Sequence, residues 1–145
     1  MASKKTPLQI RAEKASAIVY AGLTRVQGYT QDRKIKTVLV PGSDAKRYQV
    51  ILRRPKNGII TTECRVEASS NGYVDCKGNS NGSLCYHSLA AIETAAREAH
   101  RRVAFCSTYQ AAKKVAQLHS GKIGYLDSHQ GHGTLVLVTY DRRQR

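Results

Sequence analysis

Three cysteines and one histidine that could together bind a zinc ion lie within one short stretch of the chain. Cys64 and Cys76 precede the triplet Cys85-Tyr86-His87, in which one residue separates two ligands at a predicted helix start. Three thiolates and one imidazole complete the closed tetrahedral set of a structural zinc site. The alternative is that the cysteines are small buried apolar residues and His87 is an ordinary histidine at a helix start. The number and spacing of the ligands favour zinc.

The turn between Cys64 and Cys76 decides whether these two ligands can meet. Ser69-Ser70-Asn71-Gly72 is typical of a β-hairpin turn. A three-residue loop centred on Ser70 would place Cys64 directly opposite Cys76, with both side chains on one face. A two-residue loop, Asn71-Gly72, would place them on opposite faces. Both registers are compatible with the sequence.

The segment Cys85-Tyr86-His87-Ser88-Leu89-Ala90 resembles the second half of the SWIM zinc finger. The pattern of that family is Cys-x-Cys, a variable loop and Cys-x-His-x-x-Ala. Cys76 matches its second cysteine, whereas Val74 stands where the first is expected. We assign the missing ligand to Cys64 on the hairpin argument. The resemblance covers residues 48–104 and implies a ββα zinc unit that binds DNA or protein.

The surrounding pattern predicts an α+β fold in one domain, residues 1–145. It consists of an N-terminal helix, a small antiparallel sheet, the zinc-stapled ββα unit, two C-terminal helices and a final strand. We expect the first helix to run from Pro7 to Val26 and to end at Gly28. The expected strands cover residues 36–40, 48–52, 59–67, 73–76 and 134–140, and the two later helix patterns run over residues 88–103 and 107–118.

The fourth cysteine, Cys106, is expected to be a core thiol and not a ligand. If the helix that starts near His87 continues past Val103, Cys106 lies about 28 Å from His87 at 1.5 Å per residue. That separation is too long for a shared ion.

The charge of the chain indicates a polyanionic partner. Lys and Arg number 24 against 10 Asp and Glu, which gives a formal net charge of +14. Self-repulsion at this charge disfavours a compact state, and an acidic partner relieves it. Nucleic acid is the first expectation, an anionic membrane surface the second, and a basic surface that only aids solubility the third.

The predicted nucleic-acid-binding residues come from two basic clusters. One cluster lies at a hairpin tip before the zinc unit, and the other follows the predicted helix, where Arg97 and Arg101 would share a face. Contacts of these side chains with phosphates would give affinity without reading base sequence. The residues are Arg53, Arg54, Lys56, Arg97, Arg101 and Arg102.

These features predict a non-catalytic, zinc-stabilised nucleic-acid-binding protein, with DNA preferred over RNA. Four protein ligands leave no coordination position for an activated water, and no phosphate-cradling loop or recognised nucleophile setting is present. We expect no small-molecule substrate, no membrane span and no signal peptide, and therefore a reducing cytoplasmic location. The alternative is a structural or adaptor component of a ribonucleoprotein, virion or multi-protein complex, in which the zinc unit contacts protein partners.

Overall fold

In a computed structural model, the residues described are 6–29, 35–42, 47–56, 59–68, 72–75, 85–128 and 134–141. Within them the chain forms three α-helices and eight β-strands, which confirms the predicted α+β class. None of these helices combines the length and apolar character needed to cross a membrane. The elements are α1 (Pro7–Tyr20), β1 (Arg25–Tyr29), β2 (Ile35–Pro41), β3 (Arg47–Lys56), β4 (Ile59–Ala68), β5 (Gly72–Asp75), α2 (Tyr86–Glu98), β6 (Arg101–Cys106), α3 (Tyr109–His119), β7 (Lys122–Ser128) and β8 (Thr134–Asp141).

All eight strands belong to one sheet with the order β1-β2-β3-β4-β7-β8-β6, and β5 pairs with β4 outside this path. Strand β4 pairs in parallel with β7 over Ile59–Thr62 and antiparallel with β5 over Arg65–Ala68. The other strand pairs are antiparallel. Strand β3 pairs along one side of β4. Strands β7 and β5 therefore pair one after the other along its other side, and Cys64 lies between these two paired segments.

The hairpin register agrees with the three-residue alternative. Arg65 pairs with Asp75 and Ala68 pairs with Gly72, so the connecting loop is residues 69–71. If the same register continued by one position, residue 76 would lie opposite Cys64. Cys76 itself lies outside the described residues.

The two faces of the sheet carry separate apolar clusters. Helices α1 and α2 pack together, and α2 covers β2, β3 and β4 through a core that includes Val50, Leu89 and Leu137. Helix α3 packs on β8, β6 and β7 through a second cluster that includes Ala112 and Val138. Since Leu137 and Val138 are adjacent in β8, their side chains point to opposite faces. The α2 face is therefore the one on which a ββα unit can form.

Helix α1 starts as predicted but ends earlier than the sequence pattern suggested. Thr6 caps it through a reciprocal bond with Gln9, and Pro7 is its first residue. The helix stops at Tyr20 because Gly22 adopts a left-handed φ of +73°, and the N–H of Leu23 donates to the carbonyl of residue 18. This is a Schellman end. The predicted extension to Val26 was wrong, because Gly22 ends the helix and β1 begins at Arg25.

The predicted helix over residues 88–103 was also too long. Helix α2 ends at Glu98, and His100 adopts a left-handed φ of +59° that turns the chain into β6. Val103 and Cys106 therefore belong to a strand, and the 28 Å helical path to Cys106 does not exist. A left-handed histidine carries no glycine or proline signal, which explains the missed boundary. Strand β7 was also missed.

Candidate metal centre and basic residues

Three of the four predicted zinc ligands converge in the structure. One ligand atom each from Cys64, Cys85 and His87 lies within 4.8 Å of the other two. All three residues are buried, with exposed fractions of 0%, 4% and 5%. The fourth predicted ligand, Cys76, is not among the described residues. The three side chains form a buried group that can hold a metal ion.

Cys64 is positioned by β4, an inner strand of the sheet. It lies in β4 opposite Val50 of β3, and the residues that alternate with it share its face. Thr62 and Cys64 are both completely buried, and α2 packs over this part of β3 and β4. A thiol at this position is held from the strand side, directly beneath the helix that carries the other two ligands.

Cys85 is the N-cap residue of α2, three residues before the start of the predicted helix at residue 88. Its backbone is extended, with φ −74° and ψ 160°, and its side chain makes no capping hydrogen bond. Thr6 and Thr108, which cap the other two helices, both accept a hydrogen bond from the backbone. The Cys85 sulfur instead lies 3.4 Å from the Ser88 hydroxyl. Its thiol is thus directed to the interior and not to the helix end.

The imidazole of His87 is held between two tyrosine rings. The Tyr48 ring stacks on it at a centroid distance of 3.6 Å and an interplanar angle of 13°. The Tyr86 ring lies 4.0 Å away at 37°, and the Lys14 ammonium sits 4.2 Å from the centre of the Tyr86 ring. The Nε2 atom of His87 is shielded from solvent. These contacts fix the plane of the ring beside the thiols.

Sequence reasoning did not identify Tyr48 as part of this site. Its position in β3 follows from the register, in which Tyr48 lies opposite Val66, two residues from Cys64 along β4. The sequence signal was an aromatic residue two positions from Val50, which places both side chains on the same face of β3. This signal indicates a place near Cys64 only when the pairing of β3 with β4 is known.

The donor atoms indicate which metals the group would take. Thiolate sulfur and imidazole nitrogen are soft or borderline ligands that favour zinc and other transition metals over magnesium or calcium. Cys64 and Cys85 are not joined to each other or to Cys106 by a disulfide. Both sulfurs are therefore available as thiolates when a cation is present.

Cys106 packs away from this group. It lies in β6 and contacts the cluster of Ala112 and Val138 on the α3 face of the sheet. Burial raises the pKa of its thiol, which keeps it protonated. Its expected role as a core thiol is confirmed, although the reason is the opposite sheet face and not distance along a helix.

Of the basic residues at the hairpin tip, Arg53 lies on the other face of the sheet. Arg53 alternates with the buried Leu52, so its side chain points away from α1 and α2. Its guanidinium is 3.7 Å from the carboxylate of Glu63, which also bonds to Arg65. The side chains of Arg54 and Lys56 lie outside what the structure describes. Arg53 therefore lies on the face of the sheet opposite to α2 and its Arg97.

The other three predicted nucleic-acid-binding residues border one cavity, but they do not share one helix face. Arg97 is in the last turn of α2, whereas Arg101 and Arg102 belong to β6. The shared helical face expected for Arg97 and Arg101 is wrong, because His100 breaks the helix between them. All three nevertheless line one cavity. Strand β6, which stands where the helix was predicted to continue, brings Arg101 and Arg102 to this cavity.

The buried Cys64, Cys85 and His87 group and the cavity with three arginines are therefore the two chemically distinctive places among the described residues. Comparison of the chain with protein-family models, with curated proteins and with solved structures finds no match.

Proposed function

We propose that this protein is a non-catalytic nucleic-acid-binding protein whose fold is stabilised by one structural zinc ion. The observation that carries the proposal is the convergence of Cys64, Cys85 and His87 on the α2 face of the sheet. Cys76 is the proposed fourth ligand. The three-residue hairpin loop supports this choice, because the Arg65–Asp75 pairing, if continued by one position, would place Cys76 opposite Cys64.

The separations among the three donors suit zinc. With Zn–S near 2.3 Å and Zn–N near 2.0 Å, tetrahedral ligands lie about 3.5–3.8 Å from one another. The donor atoms of the group are all within 4.8 Å of one another, so side-chain adjustments of about an ångström would bring these three donors to the separations of zinc ligands. Such an ion joins the β4–β5 hairpin to the start of α2, the arrangement that the SWIM resemblance implies.

Four protein ligands also support a structural role for the ion. A zinc site that activates water keeps one position open, as in sites with two cysteines and one histidine. A fourth thiolate from Cys76 closes that position. Thiolate ligation requires reduced cysteines, which supports the cytoplasmic location expected from the sequence.

Nucleic acid is the partner that the charge supports. A formal net charge of +14 on 145 residues favours binding to a polyanion, and arginines from α2 and β6 line a common cavity. The resemblance to SWIM modules favours DNA as the target. Contacts of this kind set affinity and salt dependence more than base specificity.

The zinc proposal is tested by elemental analysis of the full chain purified without chelator. We expect one zinc per chain in the wild-type protein and less than half of that in Cys76→Ser. Cobalt substituted for zinc should give the absorption of a tetrahedral thiolate site, and that absorption should weaken in Cys76→Ser. Wild-type protein without bound metal would refute the zinc site. Full zinc content in Cys76→Ser would refute the fourth ligand.

The nucleic-acid proposal is tested by affinity for double-stranded DNA, single-stranded DNA and RNA over a salt series. We expect log K to fall linearly with log salt, with a slope of about −0.9 per phosphate neutralised on duplex DNA. DNA should bind more tightly than RNA at each salt concentration. A response that is flat in salt for all three polymers would refute nucleic-acid binding and favour an adaptor role.

A further inference from the structure

Strand β6 lies at one end of the sheet, and its outer edge pairs with no strand among the described residues. It pairs with β8 alone, over all six residues from Arg101 to Cys106 and without a break in register. The outward backbone N–H and C=O groups of such an edge can form hydrogen bonds with a further strand. After its two arginines the edge reads Val-Ala-Phe-Cys, so this half carries no charge that would oppose pairing.

Strand β1, at the other end of the sheet, is better protected against such pairing. Its register with β2 shifts between Val26 and Gly28, which marks a β-bulge or similar irregularity. The charged side chain of Arg25 is exposed just before this shift. Bulges and charged residues are the usual means by which proteins keep sheet edges from pairing. The regular ladder and apolar half of β6 make it the edge that suits a partner strand.

A groove lies between β6 and α1. Its volume is about 420 Å³. The strand side of the groove is formed by residues 103–105, of which Val103 and Phe105 are partly buried against the core beneath α1 and α2. The helix side is formed by Ala12, Glu13, Ser16, Ala17 and Tyr20. The small side chains on α1 leave room for the side chains of an added strand.

Helix α1 also presents exposed apolar side chains beside this groove. Ile10 and Tyr20 are 55% and 58% exposed. Together with Glu13 and Ala17 they are spaced three or four residues apart, so all four lie on one face of the helix. Since three of these residues line the groove, this face borders the β6 edge. Apolar side chains beside an open strand edge favour contact with another protein chain.

Helix α1 and strand β6 run in opposite directions. Lys14 of α1 contacts the Tyr86 ring at the start of α2, and the carbonyl of Val19 accepts a hydrogen bond from Arg97 at its end. The two helices therefore run the same way. The chain turns at His100 into β6, which packs back along α2. The end of α1 is consequently near the start of β6, and its earlier turns are near the end of β6.

This direction makes the charges along the groove self-complementary. Glu13 lines the groove with residues 103–105, whereas Arg101, at the start of β6, shares a cavity with Tyr20. Arg101 alternates with Val103 and Phe105, so its side chain is on the α1 face of the sheet. An antiparallel strand of the same sequence would bring its own arginine to the far end of β6. That arginine would lie beside Glu13.

We propose that the β6 edge pairs with the β6 edge of a second copy of this chain, antiparallel and around a two-fold axis. Contacts of this symmetry are the commonest in homo-oligomers. Opposite residues of an antiparallel pair share a face, so the pairing is centred on Val103 or on Ala104. Either centre keeps the arginines of the two copies at opposite ends and places Arg101 of one copy near Glu13 of the other.

The charges favour a second copy over an unrelated extended peptide. Two symmetric ion pairs between Arg101 and Glu13 form only if the added strand carries a positive side chain at this one position. The two sheets then join into one continuous sheet, and the two grooves are filled. The net charge of +14 on each copy opposes association, and salt screens this repulsion. The pairing is independent of the proposed zinc and nucleic-acid functions.

The first test is the oligomeric state of the full chain as purified. We expect light scattering at about 0.3 M salt, where charges are screened beyond about 6 Å, to give twice the mass of the 16.0 kDa chain. Hydrogen exchange should show that β6 amides lose protection when the dimer is diluted, whereas β1 amides do not change. A single-chain mass at all concentrations up to about 0.1 mM would refute the proposal. A dimer whose dissociation leaves β6 exchange unchanged would also refute it.

The second test reverses the two charges, first singly and then together. Glu13 and Arg101 are both exposed, so Glu13→Arg and Arg101→Glu should leave the fold intact. Each single variant should weaken the dimer about tenfold, because two ion pairs become two repulsive contacts. The double variant should restore the wild-type affinity to within about threefold.

Lys113→Glu is the matched control for Arg101→Glu. Lys113 is exposed on α3, on the other face of the sheet, and its reversal changes the net charge equally. We expect its dimer to match the wild type to within about threefold. Single variants that dimerise as well as the wild type would refute the proposed arrangement. A double variant that stays as weak as the single variants would refute it too.

Discussion

Replacing Cys64 and Cys106 by serine, one at a time, separates a metal ligand from an ordinary buried thiol. The two cysteines are similarly buried, with exposed fractions of 0% and 7%, but only Cys64 belongs to the candidate metal centre. A buried hydroxyl without full compensation costs about 1–3 kcal/mol at either position. Cys64→Ser should lose more, because it also removes a zinc ligand.

The additional loss can be estimated from the energetics of zinc sites. Structural zinc contributes about 10–16 kcal/mol to folding in small zinc fingers, so an equal share per ligand is about 2.5–4 kcal/mol. A change of 1 kcal/mol shifts the melting temperature by roughly 3–4 °C in a domain of this size. We therefore expect Cys64→Ser to melt about 8–15 °C below Cys106→Ser.

The assay is thermal unfolding followed by circular dichroism, with and without a chelator. We expect the chelator to lower the melting temperature of the wild type and of Cys106→Ser, and to change Cys64→Ser much less. Zinc content should be unchanged in Cys106→Ser. Equal melting temperatures for the two variants, together with no effect of the chelator on the wild type, would refute a metal at Cys64. The cysteines would then be small apolar core residues.

Two further predictions concern the stability of the fold. Glu93→Gln should raise the melting temperature at pH 7, because burial raises the pKa of Glu93 and its ionisation therefore weakens folding as the pH rises above the usual glutamate range. Melting curves from about pH 4 to pH 8 should show this gain disappear towards the acidic end, and a gain that grows there would contradict the reasoning. Gly121→Ala should destabilise by about 1–3 kcal/mol in urea unfolding, because the new Cβ would lie 2.7 Å from Val138 Cγ1. Gly28→Ala, whose Cβ would meet nothing within 4 Å, is the matched control and should unfold near the wild-type midpoint.

Much of the strand pattern could be predicted from local sequence. Segments rich in β-branched residues and bounded by Pro, Gly and Asn correspond to β2, β3, β4 and β8. The three-residue hairpin loop was one of two registers that the sequence allowed. Its selection needed the ladder between Arg65 and Asp75 to form. Local patterns predict where strands lie, but cross-strand packing selects their register.

The helix ends show where local patterns become ambiguous. The apolar spacing of α2 continues into β6, because Val103 fits the helical stripe and also faces the core from a strand. His100 reverses the chain in a left-handed conformation that few non-glycine residues adopt. The pairing of β6 with β8 offsets the free-energy cost of that backbone conformation. No spacing rule within the segment could have revealed it.

The sequence by itself determined the types of chemistry available to this protein: thiolate and imidazole ligands at metal-binding spacing, and a large surplus of arginine and lysine. These properties belong to side chains whatever the fold. Tertiary structure alone decided that Cys64, on a central strand, lies beneath the helix start that carries Cys85 and His87. It also placed Arg97 of α2 and Arg101 of β6 at the border of one cavity. Such convergence depends on contacts between residues distant in sequence, which strand pairing and helix packing create and local patterns do not encode.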